Sequence, residues 1–301
     1  MNATQIRESI TQTIIESLEQ GGLPAWRKPW ATDPNALGLA TSLSTGKPYN
    51  GINQLLLQVL AIKHQYESKW FGTFKQIKDA GASVKKGEKA VKIVLFKPIK
   101  REEKLDNGET ADLSFFLMRQ FSVFSVEQTT GLDQYRIGNT QPTDTIFERL
   151  EAAERLVKAT GVDLRHGGNR AFYSPTQDRI QMPRRGQFES SEAYYETLMH
   201  ELVHWSEKRI GFDRTKVENA YALGEMVADL GASFLLAELG LPTSQNVESC
   251  ASYIDHWLKA MKADTKFVFK ASATASKAAE FLMSHVRTQE EQPVADEVGT
   301  R

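Results

Sequence analysis

Met199–Lys208 reads MHELVHWSEK. It holds His200, Glu201 and His204 in the order H-E-x-x-H. On an α-helix, residues four apart stack on one face, so both imidazoles reach one cation, while Glu201 stands beside it where it can hold a water. The preceding stretch SSEAYYETLM, 190–199, supports a helix. Ser190 or Ser191 caps it, Glu192 suits its positive end, and Leu198 and Val203 give it an apolar side.

A five-residue pattern of this kind arises by chance in roughly one in a hundred chains of this length, so a third ligand is required. Catalytic zinc takes three protein ligands and keeps one position open for water. The four other histidines are His64, His166, His256 and His285, and none follows His204 at short range. Glu225 is better placed, after 20 intervening residues and within YALGEMVADLGASFLLAEL, with Asp229 four residues beyond it. Two acids at that spacing repel each other on an exposed helix. The Ala, Gly and Ser positions around them predict close packing against another helix, where buried acids need a cation.

The arrangement HExxH-x20-ExxxD resembles the gluzincin metallopeptidases. The resemblance implies that Glu225 is the third ligand and that Asp229 hydrogen-bonds a ligating histidine, with coordination by Asp229 as the alternative. A divalent metal is expected, zinc first and manganese second. Zinc would polarise a carbonyl and acidify its water, with Glu201 taking the proton and passing it to the leaving nitrogen. Tyr173, Tyr194, Tyr195 and Tyr221 all remain open as the partner of the oxyanion.

At 301 residues the chain is expected to form two domains. Its 41% hydrophobic and 25% charged residues are those of a globular protein. There is no run of 18 or more apolar residues and no export signal, so no membrane partner is expected. One cysteine, Cys250, excludes a disulfide framework or a cysteine metal cluster and points to a reducing cytoplasm.

The formal net charge of −1 conceals an asymmetry: 63–101 carries 11 basic and 3 acidic side chains. Such a patch in a neutral chain marks an anionic partner. The same half holds Trp26, Arg27, Lys28, Trp30, Tyr49, Asn50, Asn53, Trp70, Phe74 and Lys75. Aromatics that stack bases, interleaved with cations that follow phosphates, suit single-stranded nucleic acid. Lys85, Lys86 and Lys89 would add the salt-dependent part of the affinity. Taken singly, Trp70 and Phe74 suit a core and a lysine run suits a solvated face.

The pattern predicts an α+β protein: a small α+β DNA-binding domain over 1–138, a linker over 139–145, a mainly helical domain over 146–287 and a flexible tail over 288–301. In the first, helices over 6–18 and 52–66, the latter capped by Asn50 or Asn53, precede strands over 90–96 and 114–128, with REEKLDNGET as an exposed hairpin connection. In the second, a helix over 146–160 and a short strand with Ile180 and Met182 on one face precede helices over 191–209, 217–239 and onward to about 286.

Several motifs in order resemble a known family. LPAWRKPW, KPYNGIN, KWFGTFKQIKDAGASVKKGEKAVKIVLF and FSVFSVEQTTGL resemble the N-terminal domain of ArdC-type antirestriction proteins, shared with TraC-type primases. AFYSPTQDRIQMP, the H-E-x-x-H helix and GEMVADLGASFL resemble the zincin-like metallopeptidase domain that follows it. The resemblance implies a protein of conjugative plasmids that binds single-stranded DNA, has a metalloprotease fold and protects incoming DNA from host restriction. A protein substrate or a host restriction enzyme is a further implied partner. Where family members have EELVAE, this chain has GEMVAD, which leaves Glu225 and Asp229 as the pair. Two other readings stay open: a DNA-binding interaction protein with a structural metal, and a general protease whose basic domain selects acidic proteins.

Overall fold

The computed structural model describes residues 2–20, 33–104, 110–138, 146–213, 219–241, 243 and 248–290. The fold is α+β, and the chain forms two compact units. One is built from the elements before Gln141 together with Met261–Phe269, the other from the remaining elements after Pro142.

The first unit opens with α1 (Ala3–Glu19), capped by a reciprocal pair: Asn2 accepts from the Gln5 backbone and the Gln5 side chain accepts from the Asn2 backbone. Its buried face is Ile6, Ile10, Ile14, Ile15 and Leu18, the residues its periodicity selects. Strand β1 (Thr41–Ser42) leads into α2 (Gly51–Lys63), which is buried on nearly every side. Asn50 is the N-cap residue of α2 but makes no side-chain cap bond. Asn53 is not a cap either: its side chain both accepts from Val94 N at 2.8 Å and donates to Val94 O at 2.6 Å, tying the helix to a strand.

After β2 (Trp70–Gly72) come α3 (Phe74–Asp79), β3 (Ser83–Val84), β4 (Val91–Lys104), β5 (Thr110–Ser125) and β6 (Thr129–Thr130). The main sheet has the order β1-β2-β5-β4, parallel between β1 and β2 and antiparallel elsewhere, and β3 pairs with β6. The two long strands run further than the apolar pattern predicts, in register from Val91↔Val123 to Lys104↔Thr110. REEKLDNGET is therefore mostly strand outside 105–109, because backbone pairing propagates along an established register whatever the side-chain polarity. A small core of Ile77, Ala82, Val126 and Leu132 lies under α3 and β6. The Met261–Phe269 segment joins this unit through the Thr11 hydroxyl, which donates to Thr265 O at 3.1 Å, and Lys262 Nζ, 2.6 Å from Glu19 Oε1.

The second unit begins with α4 (Ile146–Thr160) and a three-stranded sheet of β7 (Asp163–His166), β8 (Phe172–Ser174) and β9 (Arg179–Met182), in the order β7-β9-β8. Ile180 and Met182 are fully buried and their neighbours are not, as the alternation predicts. Then come α5 (Ser191–Glu207), α6 (Ala220–Glu238), α7 (Glu248–Ala263) and α8 (Phe267–Glu290). Among the described residues α6 is the one helix long and apolar enough to cross a membrane, yet 78% of that window is buried in the fold, as befits a core helix. α7 docks on it through Trp257, whose indole donates to Ala222 O at 3.2 Å.

Helices α5 and α6 pack at close range where Gly231 faces Val203. A Cβ on Gly231 would lie 2.8 Å from Val203 Cγ2 and 3.1 Å from Cγ1. Valine cannot swing away, since its χ1 is stiff in a helix. Gly231→Ala gains about 1 kcal/mol of helix propensity but incurs about 1–3 kcal/mol of overpacking at this helix pair. It is expected to lower the thermal midpoint, and Val203→Ala in the same chain to restore part of the loss. A midpoint raised by Gly231→Ala alone would show that the helices do not need the glycine.

Candidate metal centre

The N-terminus of α5 is set by Ser190, whose hydroxyl accepts from Ala193 N at 3.1 Å. From that start the helix carries His200 and His204 on one face with ring centroids 4.8 Å apart and planes nearly perpendicular. α6 brings Glu225 to them: Oε2 lies 3.5 Å from His200 Nε2 and Oε1 lies 3.7 Å from His204 Nε2. One donor atom from each of the three falls within 4.8 Å of the other two. Two ligands each about 2.1 Å from a tetrahedral ion are about 3.4 Å apart, so the separations suit a shared cation better than direct contact.

Burial pushes the Glu225 carboxyl up, but the His200 and His204 rings beside it outweigh that effect and hold the group well below the usual carboxylate range. His204 has a second partner: Nδ1 lies 2.9 Å from Glu207 Oε1. The sequence reading missed Glu207, although its i,i+3 spacing from His204 on a helix is a legible signal.

Glu201 is 7% exposed and is fixed by the sheet: its Oε2 accepts from Tyr173 N, on β8, at 2.8 Å. The same strand is tied to the far end of α5. Tyr173 donates its hydroxyl to Asp178 Oδ1 at 2.8 Å, and Arg209 donates to Asp178 Oδ2 at 2.6 Å and to Trp205 O at 2.7 Å while lying 3.6 Å above the Trp205 ring. Strand and helix are thus braced at two points.

Beside the histidines opens a cleft of about 430 Å³ lined by His200, Glu201, Asp229, Phe188, Leu236 and Tyr253 among others. Asp229 therefore stands at the cleft, outside the three groups whose donor atoms converge. Of the tyrosines weighed for the oxyanion, none lines the cleft: Tyr173 is bonded to Asp178, Tyr194 to His166, and Tyr195 to Glu154, and Tyr221 is 58% exposed. Tyr253, unmarked in the sequence, does line it. Burial raises its phenol, helped by a hydrogen bond with Tyr221 and by the charges of Glu225 and Glu201.

In the first unit, Trp26, Arg27, Lys28 and Trp30 lie outside the described residues. Phe74 is 61% exposed, and Lys75, Lys85, Lys86, Lys89 and Asn50 are exposed too. Lys85 Nζ donates to Glu127 O at 2.8 Å. Tyr49 is half-buried, its phenol raised by burial. Trp70 has internal partners: its indole donates to Asn35 Oδ1 at 2.8 Å, and its ring meets Tyr135 edge-on at 5.0 Å. Asn53 is committed to Val94 on both sides of its amide. The nine described residues of the expected nucleic-acid set thus divide into exposed and internally engaged groups.

Comparison with known proteins defines the class first. Residues 4–124 match the N-terminal domain of anti-restriction factor ArdC, and residues 151–274 match the zincin-like metallopeptidase domain. The crystal structure of antirestriction protein ArdC from plasmid R388, metal-free, is 34% identical with a TM-score of 0.77, covering 94% of this chain and 98% of that one. Its Mn(II)-bound form is 33% identical with a TM-score of 0.74, covering 93% and 97%. The chain therefore belongs to the ArdC family of antirestriction proteins. It is also 33% identical to the DNA primase TraC of Escherichia coli over 94% of its length, but spans only 20% of that primase. An uncharacterised protein, y4eC of Sinorhizobium fredii, is 31% identical, with 93% of this chain and 92% of that protein covered.

The brace at Asp178 carries a pH signature. The hydrogen bond from Arg209 holds its carboxyl below the ordinary value against the opposing effect of burial, aided by the bond from Tyr173 and the charges of Arg209 and Lys208. A depressed folded-state value means stability that is present above the unfolded value of about 3.9 and lost as pH falls through the lower folded one. Asp178→Asn should therefore be less stable than the parent at pH 7, with the difference in thermal midpoint shrinking below about pH 3.9. A difference unchanged down to the lowest workable pH would remove the carboxylate from the brace.

Proposed function

We propose that this protein binds single-stranded DNA through its first unit and one divalent metal through His200, His204 and Glu225 in its second. The second unit then acts as a metallopeptidase-type hydrolase in the protection of incoming plasmid DNA from restriction. The carrying observation is the convergence of two imidazoles and a carboxylate within 4.8 Å beside a cleft that also holds Glu201. A closed structural site has no use for Glu201 or for an open approach.

His200, His204 and Glu225 would hold a divalent ion there, which would supply a Lewis acid able to polarise a carbonyl and acidify a water. Zinc is the first choice for two imidazoles and a carboxylate, and manganese is the ion in one relative's structure. Glu201 takes the proton from the attacking water and returns it to the leaving nitrogen. The bond from Tyr173 N occupies one lobe of Oε2 and aims the carboxylate. Phe188 and Leu236 give the cleft apolar contacts beside its polar groups, which supports a polypeptide as the substrate class.

For DNA, exposed Phe74 offers a stacking face and Lys75, Lys85, Lys86 and Lys89 the phosphate contacts. The excess of basic side chains over 63–101 supports this assignment.

Glu201→Gln is expected to keep stoichiometric metal and unchanged affinity for single-stranded DNA, but to lose hydrolysis of a susceptible protein by a factor of at least about 100, the size of a missing general base. Hydrolysis by this variant at the parental rate rules out the mechanism; loss of metal would make Glu201 a ligand instead. Plasmid transfer into a restricting host, scored for the same variant, then reports whether protection needs the chemistry.

For the first unit, the triple substitution of Lys85, Lys86 and Lys89 by Ala should weaken single-strand binding and flatten its dependence on salt by about 0.7 in the log–log slope for each phosphate no longer neutralised. An unchanged slope would place the phosphate-binding cations elsewhere.

A further inference from the structure

Glu207 is 5% exposed and sits next to the metal triad without belonging to it. It lies three residues beyond His204 on α5, where side chains of adjacent turns meet. Its Oε1 is 2.9 Å from His204 Nδ1, and both side chains are over 90% buried. A buried carboxylate is strongly disfavoured unless donors satisfy it, and because a carboxylate oxygen only accepts, this contact requires the His204 proton on Nδ1. With the ring proton on Nδ1, the lone pair of His204 is on Nε2, the atom that faces Glu225 Oε1 at 3.7 Å. His200, edge to face on the preceding turn, and Glu225 on α6 also face this ring.

We propose that Glu207 is the positioning residue of the metal centre: it fixes the tautomer and plane of His204 and makes Nε2 a better ligand. It touches neither substrate nor ion, and it acts through the histidine alone. The proposal rests on the metal reading above and deepens it. The gluzincin pattern draws its orienting carboxylate from the second helix, at the place of Asp229. In this chain an orienting carboxylate comes from the same helix as the ligand, one turn along. A single helical segment, His200 to Glu207, then carries two ligands, the base and the group that orients one ligand.

The test uses the full chain as wild type, Glu207→Gln and Glu207→Ala, each freed of metal and titrated with zinc and, separately, with manganese against a chromophoric chelator. Glu207→Ala is expected to bind 10–100-fold more weakly, on the order of other losses of an orienting partner, and Glu207→Gln less so, because its amide oxygen still accepts from Nδ1. Ring nitrogen-15 spectra of the metal-free proteins give a readout that a merely structural role would not move. In the wild type, the His204 signal should report a proton on Nδ1. In Glu207→Ala it should shift toward the Nε2-protonated form that an unconstrained imidazole prefers. Should the alanine variant fail to fold, Glu207→Gln carries the comparison. Equal affinity in wild type and folded variants, with an unmoved ring signal, overturns the role of Glu207 and leaves the metal site standing. No binding by the wild type itself overturns the metal reading and the role of Glu207 with it.

Discussion

The close packing of α5 against α6 is the constraint on which the second unit depends. His200 and His204 lie on one helix and Glu225 on the other, so their donor atoms meet only if the two backbones run close together. Gly231 against Val203 permits this, with no room for even a methyl group at the glycine. The requirement explains a helix that reads as a membrane span by composition and yet carries Glu225 and Asp229 within it. Its small residues serve proximity, and its apolar ones fill the surrounding core.

The sheet supplies the other half of the arrangement. An imidazole on a helix is aimed by its rotamer, but a carboxylate on a longer side chain needs a second anchor. Glu201 has that anchor in a backbone N–H from β8. Because Tyr173, Asp178 and Arg209 tie the same strand to α5, a shift of strand against helix would disturb two anchoring points at once. Preorganisation of this kind is worth most when the group must act at one place and at one moment, as a proton acceptor does.

The legibility of these features in the sequence varied with their range. His200, His204 and Glu225 could be read because helical spacing and ligand chemistry are local or pairwise properties, and the structure brings all three together. Helix α1 and strand β9 could be read from periodicity, since one face of each is buried. Tyr253 could not, because which side of α7 lines the cleft depends on how that helix docks through Trp257. The internal ties of Asn53 to Val94 and of Trp70 to Asn35 could not be read, because polar and aromatic side chains serve ligands and internal ties equally well. The length of the β4–β5 ribbon was hidden because main-chain pairing leaves no mark on side-chain pattern.

The nine residues Met261–Phe269 belong with the first unit, although the chain before and after them is built into the second. In polymer terms the two units are interleaved and not strung in series. A protease that nicks the chain once near Gln141 releases no complete first unit, because that unit's last segment stays on the other fragment, anchored at Thr11 and Glu19. Inheritance follows the same topology. Recombination that exchanges the front half of this chain for that of a relative must carry a matching hairpin between α7 and α8 or leave a mismatched seam. The contacts at Thr11 and Glu19 are therefore a constraint that both halves of the chain share.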